Sequence, residues 1–492
     1  MLFKLDKLMP SEAIPFFFIK IFSTFGYAVL YSSLVLYITN DLQGSVGQAT
    51  GIMGVFIAFN FILHLFGGYI GGRFLSYRAL FVTGIILEFI GTIFIAQPSM
   101  TVFFIGLSIF LTGCGIYVTS INCILTQQFK PEDTKREKAF FWVYSGMNVG
   151  FFLGIAVAGF YHISNNYHQL FVISATTSIL SLLLFGANWA RMRDIETPFS
   201  KHPSKEQKAR LSLSIALTVL MIPSLWFMLQ HTALSNNLVL IFGACMLLTV
   251  LRMAYKQKLQ QERHKLIAFL VLLLAAIVFW SMFFIAPIGL MVFIQYHVSD
   301  NLLGMKFPPQ WFGNVNTLVV VFFGPVLAAL FQRLRDKGFN VTVPIQFTLA
   351  LLFMAAAYLV LPVGIQLSSG AVSGAWIIAY YALQSIGELF IAPVGYAMIG
   401  QLVPVRLQGI MMGTWMMVSG VASSLSHSLS SAMIQKSASG VPPIEPFSHS
   451  FNVLGVTVIG FSIVLMLLTP KLNKLMGLAR NNQTDTEEAY SA

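Results

Sequence analysis

Lys20, Glu88 and Glu388 are the residues of this chain best placed to do chemistry. They are the only Lys, Arg, Asp or Glu that lie deep inside long apolar segments. A charge at such depth costs at least about 2.5 kcal/mol unless it is paired or lines a wet cavity. Chains that keep such groups use them to bind a charged solute or to carry a proton. Glu388 can receive an amine, hold a proton, or pair with Lys20 or a hydroxyl. Lys20 can hold an anion or form a fixed ion pair. It can also reach back to the membrane edge, since it stands about 9 Å of helix into its span. Glu88 can pair with a neighbouring helix or serve as a second proton carrier. His64 and His427 titrate near neutral pH where water reaches them, and a hydrogen-bonded packing role fits each as well. No nucleophile–base pair or metal-ligand cluster accompanies these groups, so an enzyme is not expected. Cys114, Cys123 and Cys245 all sit in apolar segments and form neither a disulfide framework nor a zinc pattern.

Only membrane-spanning helices can hold charges in this setting. Of the 492 residues, 57% are hydrophobic and 10% charged, and the mean hydropathy is +0.77. A soluble domain carries about 25% charged residues. Apolar stretches of about 20 residues, each long enough to cross a bilayer, recur from end to end. The expected architecture is an all-α polytopic membrane protein of fourteen spans, the first beginning near residue 14 and the last near residue 449. No segment remains for a soluble catalytic domain, and no nucleotide-binding loop appears, so ATP-driven pumping is not expected.

The net charge of +11 does not point to nucleic acid. Of the 29 Lys and Arg, 26 fall in alternate loops or at the two termini, on one side; the exceptions are Lys20, Lys306 and Lys436. This is the positive-inside pattern, and it places both termini in the cytoplasm. Lys4 and Lys7 precede an apolar run that is too long for a signal-peptide core, so it reads as a retained first span. Residues 476–492 form a polar, acidic tail expected to be disordered. Two spans beginning near 211 and 236 hold no intramembrane charge and lie between the largest basic segments. Setting them aside leaves six spans on each side. The expected organisation is a six-helix bundle over 1–192, a linker with two extra helices over 193–264, and a second six-helix bundle over 265–475. Two such halves around a midplane site are the plan of a large class of secondary transporters.

Four motifs in order narrow the class. GGYIGGRFLSYR (Gly67–Arg78) resembles the loop signature of the major facilitator superfamily, with Gly72 at the usual Asp. Its glycines allow close helix approach, and Arg73 and Arg78 can meet the ends of neighbouring helices. FFWVYSGMNVGFFLG (Phe140–Gly154), the stretch from Val278 to Pro325 with Asn316, and GELFIAPVGYAMIGQLVPVRLQGIMMGTW (Gly387–Trp415) are similar to signatures of the proton-dependent oligopeptide transporter family. The resemblance covers nearly the whole chain. It implies the major facilitator fold, with twelve core helices and the two extra helices found in bacterial members.

The resemblance also implies a function: import of a peptide-like or amino-bearing zwitterion by alternating access. A proton gradient and no bound cofactor would drive it, in a monomer in the cytoplasmic (inner) membrane. Family equivalents of Glu388 and Asn316 hold the peptide's amino end. Tyr27, Tyr31, Tyr144, Asn148 and Trp415 are expected in the substrate cavity, although intramembrane amides and aromatics also serve as packing. The family's first-helix Glu-x-x-Glu-Arg-Phe, tied to proton coupling, is replaced by Lys20, Ser23, Thr24 and Phe25. A later Arg of that helix aligns with Tyr31, the fourth-helix Lys with Val118, and the seventh-core-helix acid with Phe284. Half of a peptide site thus survives, and Lys20 is the candidate ligand for an anionic group. Glu388 is the leading remaining proton carrier, with Glu88 second. A carrier for a non-peptide, carboxylate-rich solute such as a siderophore, and a receptor that binds without transporting, are the alternatives.

Overall fold

A computed structural model describes residues 9–477, apart from 130–132, 196, 303, 340, 405–406 and 435–440. Lys4, Lys7, Arg406, Lys436 and the tail from Leu478 lie outside the described residues. Among the described residues, fifteen α-helices of seven residues or more follow one another. They are α1 (Ala13–Asn40), α2 (Val46–Ile70), α3 (Tyr77–Ile95), α4 (Met100–Gln127), α5 (Thr134–Ile163), α6 (Tyr167–Ala187), α7 (Ser204–Gln230) and α8 (Thr232–Tyr255). There follow α9 (Gln260–Phe283), α10 (Met291–His297), α11 (Asn314–Asp336), α12 (Val343–Gln366), α13 (Gly374–Leu402), α14 (Gln408–Met433) and α15 (Ile444–Met476). Helices α9 and α10 form one span broken by a π-turn at Ala286–Leu290. Among the described residues there are thus fourteen spanning elements, as the apolar runs predict. Thirteen are long and apolar enough to cross a membrane by composition alone. The fourteenth is α14, whose second half is the polar run SSLSHSLSS.

The chain forms two compact units. The first comprises Met1–Asn236 with Lys306–Asn314, the second Asn237–Met305 with Val315–Ala492. Helix α7 belongs to the first, and most of α8 to the second.

Glycine seams hold the first unit together. A Cβ on Gly91 of α3 would stand 2.5 Å from the Phe110 backbone nitrogen and 2.7 Å from the Gly106 carbonyl oxygen of α4. One on Gly84 would stand 2.8 Å from the Gly113 carbonyl oxygen. On α5, Gly146 and Gly150 meet the Phe17 and Ile21 carbonyl oxygens of α1 in the same way, at 2.7 and 2.5 Å. The glycines of the Phe140–Gly154 motif therefore serve helix packing, since small residues let membrane helices close on one another.

The Gly67–Arg78 loop, which has Gly72 at the usual acid, meets a carboxylate from outside it. Gly72 adopts φ +71°, a conformation that glycine reaches without a steric cost. The carboxylate comes instead from Asp194, beyond α6: its Oδ1 accepts from the Tyr77 backbone N–H at 2.8 Å, at the start of α3. Arg78 stacks over the Trp189 ring at 4.1 Å and donates to the Trp189 and Met192 carbonyls at 2.7 and 3.2 Å. It thus meets the segment just past the end of α6. Asp194→Ala removes a helix-start acceptor, and a loss of about 1 kcal/mol is expected. The measurement is thermal unfolding of the purified protein in detergent, and an unchanged midpoint would remove the capping role.

In the second unit, the break between α9 and α10 follows from Pro287. Proline has no N–H, so the Phe283 carbonyl four residues earlier loses its helical donor. Gln384 Nε2 of α13 donates to it at 3.1 Å. The preceding carbonyls are met likewise: Met282 by the Tyr358 hydroxyl of α12 at 2.7 Å, and Ser281 by the Ser426 hydroxyl of α14 at 2.6 Å. Three helices thus donate to three consecutive carbonyls at the break, of which Met282 also accepts from the Ile285 backbone N–H at 3.2 Å.

Candidate functional site

The chemistry-bearing side chains fall into one cluster in each unit. In the second unit, Glu388 and Ser385 lie one turn apart on α13 and face Asn316 of α11. Asn316 Nδ2 donates to Glu388 Oε2 at 2.6 Å and to the Ser385 hydroxyl at 3.0 Å. Ser385 in turn donates to the Tyr381 carbonyl at 2.5 Å. The donor to a carboxylate is short and charge-assisted, so it fixes the orientation of Glu388. Glu388 is only partly buried. One oxygen is oriented by Asn316, and the carboxylate remains open to a further donor. An ammonium group, with three N–H donors and a positive charge, suits such an acceptor. Trp415 of α14 is 5% exposed and packs against Gly395 of α13, where a Cβ would collide with the indole.

In the first unit, Lys20 of α1 and Glu88 of α3 are both buried within electrostatic range of each other. Lys20 is 5% exposed and Glu88 0%. Both lie within range of Cys114 on α4, and His64 of α2 lies within range of Lys20. Lys20 is therefore buried among groups of its own unit rather than extended to an edge. About two and three turns along α1, Tyr27 stacks on Phe56 with ring centroids 5.3 Å apart, and Tyr31 lies 6.0 Å from Tyr27. Phe151 of α5 meets both rings edge-on at 5.8 and 6.1 Å. Tyr144 is half exposed, and Asn148 Nδ2 returns to the Tyr144 carbonyl at 3.0 Å within α5. His64 keeps a buried Nε2 with no hydrogen-bond partner, and His427 Nδ1 stands 3.5 Å from the Ser431 hydroxyl.

The sequence-predicted residues thus separate into Glu388 with Asn316, Lys20 with Glu88, and the aromatic pair Tyr27 and Tyr31. Ser385 was not singled out from sequence, although its spacing of three from Glu388 puts both on one helix face. Tyr117 and Ser174, which flank Glu88, were missed as well. The available signal was the placement of Glu88 between Gly84 and Gly91, which marks the closest-packed stretch of α3.

Comparison with known proteins extends this picture over the whole chain. The family model described as POT family matches residues 74–445. A dipeptide and tripeptide permease A of Cronobacter turicensis is 27% identical over 485 residues, covering 96% of this chain and 95% of that protein. The permease of the same name from Proteus mirabilis is 28% identical over 466 residues, covering 93% and 94%. A crystal structure of peptide transporter POT in complex with alafosfalin matches with a TM-score of 0.84 at 23% identity, covering 95% of this chain and 96% of that one. A POT family transporter in complex with 5-aminolevulinic acid matches with a TM-score of 0.82 at 22% identity, covering 94% and 96%. At these identities the solved structures establish the fold, which is the one expected from the motifs.

Proposed function

This chain belongs to the POT family, and we propose that it is a secondary carrier importing dipeptides, tripeptides or similarly amino-bearing zwitterions by alternating access. The observation that carries this reading is the Glu388 carboxylate, held at 2.6 Å by Asn316 yet still open to a second donor. That arrangement accepts the amino end of the substrate. The names of the relatives agree with it: permeases of dipeptides and tripeptides, and transporters solved with alafosfalin and with 5-aminolevulinic acid. The carrier leaves its substrate chemically unchanged. It sits in the cytoplasmic membrane with both termini inside, as the clustering of Lys and Arg in alternate loops supports. One copy is the transporting unit, since Glu388, Asn316 and Ser385 all come from one chain, even though one solved neighbour is described as tetrameric.

The test is uptake by the purified protein in proteoliposomes, with a panel of labelled dipeptides, tripeptides and carboxylate-rich solutes. Saturable peptide uptake and counterflow are expected. Glu388→Gln keeps the shape but removes the charge, and is expected to lose about 10–100-fold in substrate affinity, since a hydrogen bond to a charged group contributes about 1.5–3 kcal/mol. Peptides ignored while another solute moves would overturn the substrate class. Binding without flux would overturn the carrier itself.

A further inference from the structure

Among the described residues, Glu88 is the one acidic side chain deep within a span that the peptide site does not use, and its surroundings are unlike those of Glu388. Its exposure is 0%. Helices α1, α4 and α6 enclose it. It lies on α3 between the two points where that helix meets α4 backbone to backbone, Gly84 against Gly113 and Gly91 against Gly106. Its carboxyl group points at α1, where a Cβ on Gly26 would stand 2.6 Å from Oε1. The same Cβ would stand 3.3 Å from the Ser174 hydroxyl of α6.

Neither carboxyl oxygen has a hydrogen-bond partner. Tyr117 of α4 stands within reach of the carboxyl, but its hydroxyl is committed to the Ser23 carbonyl of α1 at 2.5 Å. The titratable groups within electrostatic range of Glu88 are Lys20 of α1 and Cys114 and Tyr117 of α4; Tyr27 of α1 lies in range of Cys114, and His64 of α2 in range of Lys20. At this depth α6 brings only hydroxyls, and those of Ser178 and Ser181 are themselves buried without a partner.

A buried carboxylate anion with neither oxygen hydrogen-bonded is costly for a membrane protein to hold. A neutral carboxylic acid avoids most of that cost. We propose that Glu88 is a proton-binding site: it holds a proton in the conformation described here and gives it up when the carrier changes state, with Lys20 as the charge partner of the anion. This rests on reading the chain as a carrier and adds the driving ion to it. On release, the Glu88 O–H bond breaks and the proton passes to water. The resulting anion is balanced by the Lys20 ammonium, which stays protonated, and accepts the Tyr117 hydroxyl once that donor leaves Ser23. On reloading, a proton from water re-forms the O–H bond and Tyr117 returns to Ser23. One proton enters and one leaves per cycle, with no other bond made or broken. The polarity is the reverse of an acid on the first helix: here α1 carries the base and α3 the acid.

Two readouts on the full-length protein test the proposal. In proteoliposomes, Glu88→Gln is expected to keep peptide counterflow at equal pH within about twofold, because the peptide-binding residues are untouched. It is expected to lose accumulation driven by an inside-alkaline gradient, by at least about tenfold. Accumulation equal to wild type would overturn the proposal. The second readout needs no substrate. The infrared spectrum at neutral pH is expected to contain the C=O band of a protonated carboxylic acid that Glu88→Gln removes. A difference spectrum without that band would overturn the proposal even if peptides turn out not to be the cargo. Conversely, a band that is present while no peptide moves would overturn the substrate reading alone. Should Glu88→Gln fail to fold, Glu88→Asp serves instead: the band is expected to shift, and an unshifted band would mean that Glu88 is ionised.

Discussion

Gly91→Leu is expected to abolish recovery of folded protein. At this position α3 and α4 touch backbone to backbone, and the first atom of any side chain would stand 2.5 Å from the Phe110 nitrogen. No rotamer relieves a clash at Cβ, and the atoms opposite are main chain, so one helix must move. Glu88 lies one turn away, and Gly106 and Gly113 hold the partner helix at the same spacing, so the displacement would open the whole seam. Overpacking that side chains can absorb costs about 1–3 kcal/mol. An obstruction that the backbone must absorb belongs with the exceptional substitutions above about 4 kcal/mol, a large share of the about 5–15 kcal/mol that holds a protein folded. The measurement is the monodisperse peak of the detergent-extracted protein on size-exclusion chromatography. The control is Gly460→Leu on α15, where a Cβ meets nothing within 4 Å. Equal folded yields for the two variants would show that the seam is not what holds α3 and α4 together.

Asn316→Leu is expected to raise the Michaelis constant for peptide about 10–100-fold while leaving folded yield near wild type. The substitution removes the 2.6 Å donor to Glu388 and the 3.0 Å contact with Ser385. A hydrogen bond to a charged group is worth about 1.5–3 kcal/mol, equivalent to that range of affinity. The loss falls on orientation, since the carboxylate remains but is free to turn. Ser385→Ala removes one contact of the same amide and is expected to have a smaller effect in the same direction. An Asn316→Leu variant with wild-type affinity would mean that Asn316 only joins α11 to α13, the packing role open to any intramembrane amide.

Much of this was legible in the sequence because the bilayer leaves a chain few options. Runs of about 20 apolar residues must be helices, and all fourteen predicted spans are present as long helices. Glu388 and Asn316, 72 residues apart, were paired only through their motifs, since spacing along the chain does not show which helices meet. The proximity of Lys20 to Glu88 had no motif behind it. It arises from how α1, α3 and α4 close, and that is set by glycines whose partners lie on other helices. Gly72 at an expected acid suggested an incomplete loop, yet Asp194 reaches the same loop from more than 100 residues away. A substitution can be read at its own position, but a compensation can lie anywhere.

Helix α14 carries a consequence for how the chain is made. Its serine-rich second half and His427 keep it below the apolarity of the other thirteen spans, and a segment of that kind partitions weakly into lipid when it leaves the translocon alone. Its Ser426 finds an acceptor only at the Ser281 carbonyl, 145 residues earlier, besides the carbonyl of its own preceding turn. Membrane entry of α14 is therefore best served by α9 already waiting beside the translocon. A nascent chain in which α9 was displaced would leave α14 stranded in water, and with it the topology of everything downstream.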